Sequence, residues 1–318
     1  MPRVSINLCC YNSERFLEHT LQSIWAQTYT DWELVIINDG STDGTEAVIR
    51  RHMTQDRPMI YFPTPHNLGL GAARNLALKR SSGECIAFID HDDVWMPHKL
   101  ACQLPLFDDH PRVGLVYSNC VNVWETGYRF RQFDKLRPCD GDAFRQLLVQ
   151  YPVSIQTAVI HRRVLQDGVE AFDPRFRVLE DLDFVLRVAR DWHLAFVEEP
   201  LVRVAMRRTS ATRTHRDRFP IEMRLILEKL RAHEPGFDQQ FAGEAARFMC
   251  EIARLEARIA WERNQRSEAL ERLQGYRQRF PEARRDAWLI RWLPYRVYDG
   301  LRLLAGRLAG MSEGSPCE

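Results

Sequence analysis

The chain has 318 residues, 45% of them hydrophobic and 27% charged, which is typical of a soluble globular protein with one large or two smaller domains. No run of about 18 uncharged apolar residues occurs, which excludes a predicted transmembrane helix. The net charge of +1 is unevenly distributed, because residues 1–200 carry 21 basic and 27 acidic side chains and residues 201–318 carry 23 and 16. This asymmetry indicates an acidic front half and a basic tail suited to an anionic surface.

The eight cysteines do not form a Cys-x-x-Cys motif, and Cys9 and Cys85 fall inside predicted core strands. We therefore expect reduced, buried thiols rather than a disulfide framework or a zinc site. A strand begins at Val4, which leaves no room for a signal peptide. These features predict a cytoplasmic protein, peripheral at the inner face of the membrane if its tail binds lipid.

Apolar runs alternate with stretches of helical spacing along the first 90 residues. The predicted order is strand 4–9, helix 14–27, strand 33–37, helix 45–53, strand 59–62, helix 71–80 and strand 85–89. Such alternation predicts an α/β fold with a mainly parallel sheet and helices on both faces. Ligands of such sheets bind beyond the carboxyl ends of the strands. Polar residues follow three of the predicted strands: Tyr11 and Asn12, then Asp39, then Asp90 and Asp92.

Later strands are predicted at 114–118 and 195–197, with a helix between them that begins near Glu180. From about residue 219 the pattern becomes almost wholly helical. Helices are predicted at 221–233, 239–265 and 267–279. We therefore expect a catalytic domain over residues 1–218 and a helical region over residues 219–318.

The segment 287–309 mixes aromatic residues and arginines in an amphipathic helical pattern. This pattern is typical of a helix that lies in a membrane interface. A helix that packs on the catalytic domain, or on a second subunit in a homodimer, has the same pattern. Both interpretations stay open on the sequence alone.

Asp90-His91-Asp92-Asp93 places three carboxylates where a buried strand ends. Carboxylates so close raise one another's pKa unless a cation lies between them. Mg²⁺ or Mn²⁺ is the cation that prefers such oxygen ligands, and it commonly brings phosphate. The alternative is an acidic turn that caps the next helix, and we assign that capping role to Asp93.

Several segments, in order and at plausible spacing, resemble glycosyltransferase family 2. They are SINLCCYN at 5–12, ELVIINDGSTDGT at 33–45, NLGLGAARN at 67–75, IDHDDVW at 89–95, and the acidic pair Glu180-Asp181. The resemblance covers roughly residues 3–215. It implies a GT-A fold, a nucleotide-binding α/β sandwich that moves a sugar from a nucleotide diphosphate to an acceptor hydroxyl with inversion.

The resemblance also implies roles for residues near the first two strands. Cys10, Tyr11 and Asn12 would hold the base, with Tyr11 stacked on a uracil, and Glu14 would bind ribose. Core packing for Tyr11 and a place in the first turn of a helix for Glu14 are the alternatives. Asp39 would accept a hydrogen bond from the uracil ring N–H, which favours UDP or TDP donors; a turn aspartate is the alternative.

Arg74 would contact the base or a phosphate through its forked donors, whereas the alternative is a solvated helix residue. The resemblance assigns Asp92 as a direct ligand of Mg²⁺ or Mn²⁺. It assigns Asp90 as a ribose contact or as a supporting residue of the metal site.

Asp181 would be the general base and Glu180 would orient the acceptor, although these two roles are exchangeable. Arg207 and Ser210 belong to a basic loop, Arg207-Arg208-Thr209-Ser210, that resembles the loop that closes over the diphosphate in the family. A solvated basic loop is the alternative interpretation.

Other functions fit less well. The segment after the first strand lacks the glycine-rich signatures of a nucleotidyltransferase and of a dinucleotide oxidoreductase. The basic tail contains no known nucleic-acid module, so we expect no nucleic-acid partner. The expected partners are a nucleotide-diphosphate sugar and a glycan or lipid-linked acceptor. A catalytically silent nucleotide-sugar-binding or scaffold component of polysaccharide assembly is the alternative from another class.

Overall fold

The computed structural model describes residues 1–53 and 59–301. Its strands are β1 Val4–Cys10, β2 Trp32–Asn38, β3 Met59–Pro63, β4 Cys85–Asp90, β5 Val94–Trp95, β6 Val113–Trp124, β7 Arg129–Arg131, β8 Val159–His161 and β9 His193–Met206. The helices of the α/β part are α1 Leu17–Trp25, α2 Thr45–His52, α3 Leu70–Arg80, α4 Lys99–Gln103, α5 Pro105–Asp109, α6 Phe144–Leu147, α7 Arg163–Gln166 and α8 Glu180–Asp191. The remaining helices are α9 Ala211–Thr214, α10 Arg218–His233, α11 Phe237–Gln240, α12 Ala242–Glu262, α13 Arg266–Leu273 and α14 Pro281–Trp292.

One sheet organises the α/β part, with the strand order β3-β2-β1-β4-β8-β6-β9-β5 and β7 paired to β6. The pairs among β1, β2, β3 and β4 are parallel, as predicted. Their register places Cys9 beside Asp90 and Cys10 beside Asn38, so three strands end at one edge.

The second half of the sheet is mixed. Strand β8 runs antiparallel to both β4 and β6, and β5 runs antiparallel to β9. The predicted run at 195–197 is only part of β9, because most of that strand is partly exposed and does not appear as an apolar run. The α/β class is confirmed, and the sheet adds antiparallel strands to its parallel half.

Alternate residues of β2 pack against different layers, which explains why the whole strand is apolar. Leu34 and Ile36 join the cluster that contains Leu17 and Leu21 of α1. Val35 and Ile37 join a second cluster with Ala73 and Ala77 of α3. Burial on both faces is expected for a central parallel strand. Cys9 and Cys85 are free and buried in these layers, as predicted.

The chain divides into two compact units. The first contains residues 1–125 and 130–207, and the second contains residues 126–129 together with the chain from Arg208 onwards. The second unit therefore begins upstream of the boundary predicted at 218/219. Its helices α12, α13 and α14 enclose an apolar cluster that includes Trp261, Leu273 and Ile290. Over the described residues, we find no helix with the length and apolarity needed to span a bilayer.

Candidate active site

The carboxyl ends of β1, β2 and β4 bring the predicted polar residues to one edge of the sheet. The amide of Asp39 donates to the carbonyl of Cys10 at 2.8 Å, which joins the first two strand ends. The amide of Asn12 donates to Ser41 Oγ at 2.9 Å, and Asn12 Oδ1 accepts from the amide of Thr42 at 2.9 Å. Asn12 has a φ of 48°, a left-handed conformation that asparagine tolerates better than most residues. The loops after β1 and β2 therefore hold each other in place.

Tyr11 and Glu14 lie on the outer side of this edge. Tyr11 is 46% exposed, so the alternative of core packing is wrong and its ring remains available for stacking. Glu14 precedes α1, which begins at Leu17. The alternative interpretation, that Glu14 lies in the first turn of that helix, is therefore wrong. Its Oε2 accepts from the amide of Gly44 at 3.1 Å, just before α2 begins.

Asp39 is buried and orders the segment that leads into α3. Its Oδ1 accepts from the amide of Leu68 at 2.9 Å and from Thr64 Oγ1 at 3.0 Å, and its Oδ2 accepts from the amide of Gly69 at 3.0 Å. A carboxylate has about four acceptor positions, so it can accept one more hydrogen bond. The neighbouring Gly40 has a φ of 70°, and a Cβ there would lie 2.4 Å from the carbonyl carbon of His66. The turn can therefore take only glycine.

Arg74 is the buried centre of the site. Its Nη2 donates to Asp90 Oδ1 at 2.9 Å and its Nη1 donates to Glu180 Oε1 at 2.7 Å. The side chain is only 4% exposed, so the interpretation as a solvated helix residue is wrong. Burial alone would lower its pKa, but Asp90 and Glu180 together raise the pKa of Arg74 above its usual value. One guanidinium thus joins the end of β4 to the start of α8.

Asp181 follows Glu180 at the start of α8, and its ionisation is poised near neutrality. Burial and the adjacent Glu180 carboxylate raise the pKa of Asp181 to about 7, against the opposing effect of Arg74. A carboxylate with such a pKa can accept a proton at physiological pH. Burial and the charges of Asp181 and Glu180 also raise the pKa of Tyr151 well above its usual value. Sequence reasoning missed Tyr151, because no motif surrounds it.

Asp92 pairs with a residue that lies far away in the chain. Its Oδ2 accepts from Arg207 Nε at 2.9 Å, and the Arg207 guanidinium stacks 3.3 Å from the centre of the Phe16 ring. The interpretation of Arg207 as a solvated residue is therefore wrong. Ser210, the other predicted residue of this loop, lies in the second compact unit, and its contact with a diphosphate stays a prediction.

Asp93 does not cap a helix, and that prediction is wrong. The residues after it form β5, and α4 begins only at Lys99. The buried carboxylate of Asp93 instead accepts from the amide of Ala205 on β9 at 2.8 Å. Burial and the neighbouring Asp92 and Asp90 raise the pKa of Asp93 well above its usual value. Its position is decided by the β5–β9 pairing, which local propensity does not reveal.

The carboxylates at this edge fit Mg²⁺ or Mn²⁺ with few protein ligands. Asp93 is committed to the backbone, which leaves Asp92 and Asp90 as the oxygen donors. Within residues 1–53 and 59–301, no group of three His, Cys, Asp or Glu side chains with metal-binding spacing forms at this edge. Mg²⁺ typically uses one or two carboxylates together with waters and substrate phosphates. Asp92 and Asp90 would hold the ion in that way, with the diphosphate completing its coordination.

Comparison with known proteins now identifies the family. A model described as glycosyl transferase family 2 matches residues 5–168, just over half of the chain. The chain belongs to glycosyltransferase family 2. This family 2 chain is 26% identical over 209 residues to an uncharacterized glycosyltransferase of Methanocaldococcus jannaschii, across 64% of this chain and 70% of that protein. It is thus a glycosyltransferase with the enzyme class and fold that the sequence resemblance implied.

Two further likenesses add detail about relatives of this glycosyltransferase. The chain is 34% identical over 116 residues to WfgD of Escherichia coli, named UDP-Glc:alpha-D-GlcNAc-diphosphoundecaprenol beta-1,3-glucosyltransferase; the match spans 36% of this chain and 45% of WfgD. The mannosyltransferase PcManGT of Pyrobaculum calidifontis, solved with GDP-Man and Mn²⁺, superposes with a TM-score of 0.65. That superposition covers 99% of this chain and 88% of PcManGT at 19% identity, and it shows a shared fold.

Replacing Arg74 tests its place at the centre of the site. Arg74→Met removes the buried cation that pairs with both Asp90 and Glu180, so we expect the free energy of unfolding to fall by about 3–5 kcal/mol in urea denaturation. Adding Glu180→Gln should recover part of the loss, because it removes one of the two negative charges that Arg74 neutralises. The exposed Lys79→Met on the same helix is the control and should change stability little. A loss below about 1 kcal/mol in Arg74→Met would contradict the central role of the pair.

Proposed function

We propose that the chain is an inverting, metal-dependent glycosyltransferase of cell-surface polysaccharide biosynthesis. It transfers a sugar from a UDP- or TDP-sugar to a hydroxyl of a glycan or lipid-linked acceptor. The observation that carries the proposal is the network Asp90–Arg74–Glu180, which links the carboxylates proposed for the donor side to the proposed base, Asp181. This network gives one site both a place for the diphosphate and a group for the acceptor proton.

Asp181 is proposed to act as the general base. Inversion requires the acceptor hydroxyl to attack the anomeric carbon from the side opposite the leaving nucleoside diphosphate. As the new C–O bond forms, Asp181 takes the hydroxyl proton, and the electron pair of the breaking bond leaves with the diphosphate. The pKa of Asp181, raised to about 7, supports this role. Glu180, held by Arg74, is proposed to orient the acceptor.

The donor diphosphate is proposed to lie at Asp92 and Asp90. A bound divalent cation would neutralise the charge that develops on the leaving diphosphate. Arg207 already lies beside Asp92, so it is placed to bind phosphate by charge-assisted hydrogen bonds. Ser210 is proposed to act in the same loop.

The base of the nucleotide is proposed to stack on Tyr11, beside Cys10 and Asn12, with Asp39 as acceptor for a ring N–H and Glu14 near the ribose. A carboxylate acceptor suits uracil and thymine and rejects adenine. Guanine also presents a ring N–H, so the mannosyltransferase solved with GDP-Man makes GDP-mannose a necessary member of any donor screen. The printed name of WfgD, which includes a diphosphoundecaprenol acceptor, supports a lipid-linked acceptor here.

A donor-hydrolysis assay with UDP-, TDP- and GDP-sugars and Mn²⁺ separates this enzyme from a silent nucleotide-sugar-binding scaffold. We expect Asp181→Asn to lower kcat by about 10²–10⁴-fold, because it removes the general base. We expect Asp92→Ala to lose the metal-dependent rate. Asp191→Asn, an exposed change on the same helix as Asp181, should leave the rate unaltered. A wild-type protein that binds a donor and turns over none of the donors would favour the scaffold.

The pH dependence tests which carboxylate is the base. Asp181 must be ionised to act, so kcat/KM should fall as pH drops through about 7, where the group becomes protonated. Glu180→Gln removes the charge that helps raise this pKa, so the acid limb should move to lower pH. An acid limb centred near pH 4, the usual range of a carboxyl group, would contradict the assignment. Circular dichroism confirms that the variant is folded across the range.

We also propose that the second unit contacts an anionic membrane through α14. Trp288 and Trp292 are 59% and 65% exposed, and they lie one helical turn apart on one face. Arg284, Arg285 and Arg291 lie three or four residues from Trp288, so they flank the same face. Exposed tryptophans flanked by arginines are suited to a bilayer interface.

The predicted membrane segment 287–309 is only partly available for this contact. The ring centres of Tyr298 and Trp261 lie 4.9 Å apart inside the second unit. The Tyr298 side chain therefore belongs to the core of that unit. Residues 302–309 lie outside the described residues. The proposal therefore rests on α14, and a homodimer contact through the same face is the competing outcome.

Vesicle cosedimentation tests this surface with the full-length protein. We expect binding to vesicles that contain phosphatidylglycerol and a loss of about tenfold or more in Trp288→Ala/Trp292→Ala, since each tryptophan buries large apolar area. Val149→Ala, at another exposed apolar residue, is the control and should bind as the wild type does. If the wild type never binds anionic vesicles, the exposed face of α14 is a packing or dimer element. Sedimentation velocity of the wild type and of Trp288→Ala/Trp292→Ala then shows whether this face forms a dimer.

A further inference from the structure

A second set of metal-ligand side chains lies on α4, on the residue directly before it and on β9, apart from the residues proposed for sugar transfer. The amide of Cys102 donates to the carbonyl of His98 at 3.0 Å, so one helical turn places these two side chains on the same face. Glu199 comes from β9, and its Oε1 lies 2.8 Å from His98 Nε2. His98 and Glu199 are 101 residues apart in the chain, so only the fold brings them together.

We propose that His98, Cys102 and Glu199 form a binding site for one Zn²⁺-class divalent ion. Each offers one ligand atom, and these atoms all lie within 4.8 Å of one another. Zinc binds such atoms at about 2.0–2.3 Å, which places tetrahedral ligands roughly 3.3–3.8 Å apart. The site therefore needs only small side-chain rotations to close around an ion.

The ligand set determines the class of metal. A thiolate together with an imidazole selects zinc-like ions, whereas Mg²⁺ and Mn²⁺ prefer the oxygens available at Asp90 and Asp92. The side chains of His98 and Glu199 are 42% and 54% exposed, so an ion reaches them from solvent. Three protein ligands leave the fourth tetrahedral position for water.

Metal binding at this site is an exchange of ions for protons. The hydrogen bond between His98 Nε2 and Glu199 Oε1 would open, the imidazole would carry its one proton on Nδ1, and Nε2 and the carboxylate oxygen would be left to bind the ion. Cys102 ligates a metal only as a thiolate, so binding must displace the proton of its S–H group. Binding releases that proton to solvent and leaves the sulfur as a thiolate ligand.

The position of the site gives it a structural consequence. Glu199 lies in the same strand as Ala205, whose amide binds Asp93, and Arg207 follows directly after that strand to pair with Asp92. An ion at Glu199 would tie β9 to α4. We therefore expect zinc to stabilise the strand that leads to the proposed diphosphate loop.

Co²⁺ titration of chelator-treated, full-length protein tests the site. One Co²⁺ per chain should produce a sulfur-to-cobalt charge-transfer band in the near ultraviolet, and Zn²⁺ should displace it. Cys102→Ser should abolish the band, and His98→Gln or Glu199→Gln should weaken Zn²⁺ binding about tenfold or more. Cys250→Ala, at a cysteine of α12, is the matched control, and it should keep both the band and the affinity.

A thermal unfolding series adds a readout that does not depend on cobalt spectroscopy. Zn²⁺ should raise the Tm of the wild type and of Cys250→Ala but not that of Cys102→Ser, because a ligand stabilises only the state that binds it. Without metal, Cys102→Ser and the wild type should melt alike, which shows that the variant is folded. No charge-transfer band in the wild type, or an undiminished band in Cys102→Ser, would overturn the proposal.

Discussion

The buried ion network around Arg74 is the interaction on which the rest of the site depends. Its guanidinium binds Asp90 at the end of β4 and Glu180 at the start of α8. A buried charge is costly unless it is paired and hydrogen-bonded, so each of the three groups requires the other two. The network therefore sets the separation between the carboxylates proposed for the donor and the carboxylate proposed for the acceptor. It also places Asp181 beside Glu180, whose charge contributes to the raised pKa of Asp181.

Arg74 is held in turn by the packing of α3. Asp39 binds the amides of Leu68 and Gly69, directly before α3 begins, and so determines where that helix starts. Ala73 and Ala77 then pack against β2 and leave Arg74 directed towards Asp90. Asp39 has a structural role here in addition to the base contact proposed for it. A substitution of Asp39 is thus expected to affect both nucleotide binding and the position of Arg74.

The second half of the sheet completes the acidic edge. Strand β9 pairs with β5, which brings Ala205 to Asp93 and Arg207 to Asp92. Arg207 partly balances the negative charge of Asp92. The loop that begins with Arg207 thus already contacts the carboxylate that we propose as a metal ligand. This arrangement gives a physical reason for a basic loop directly after a long, partly exposed strand.

Much of this protein follows from the sequence alone. Apolar runs such as 33–37 and the helical spacing of 71–80 determine the first four strands and their helices, because local periodicity reports which faces are buried. The ends of those strands also predict that Asp39 and Asp90 lie at the same edge of the sheet, since parallel strands share one carboxyl edge. Only the tertiary structure decided which side chains pair across that edge. Arg74 and Glu180 are 106 residues apart, and Asp92 and Arg207 are 115 apart. Such pairs depend on how the mixed half of the sheet returns to the parallel half, and no local propensity encodes that path.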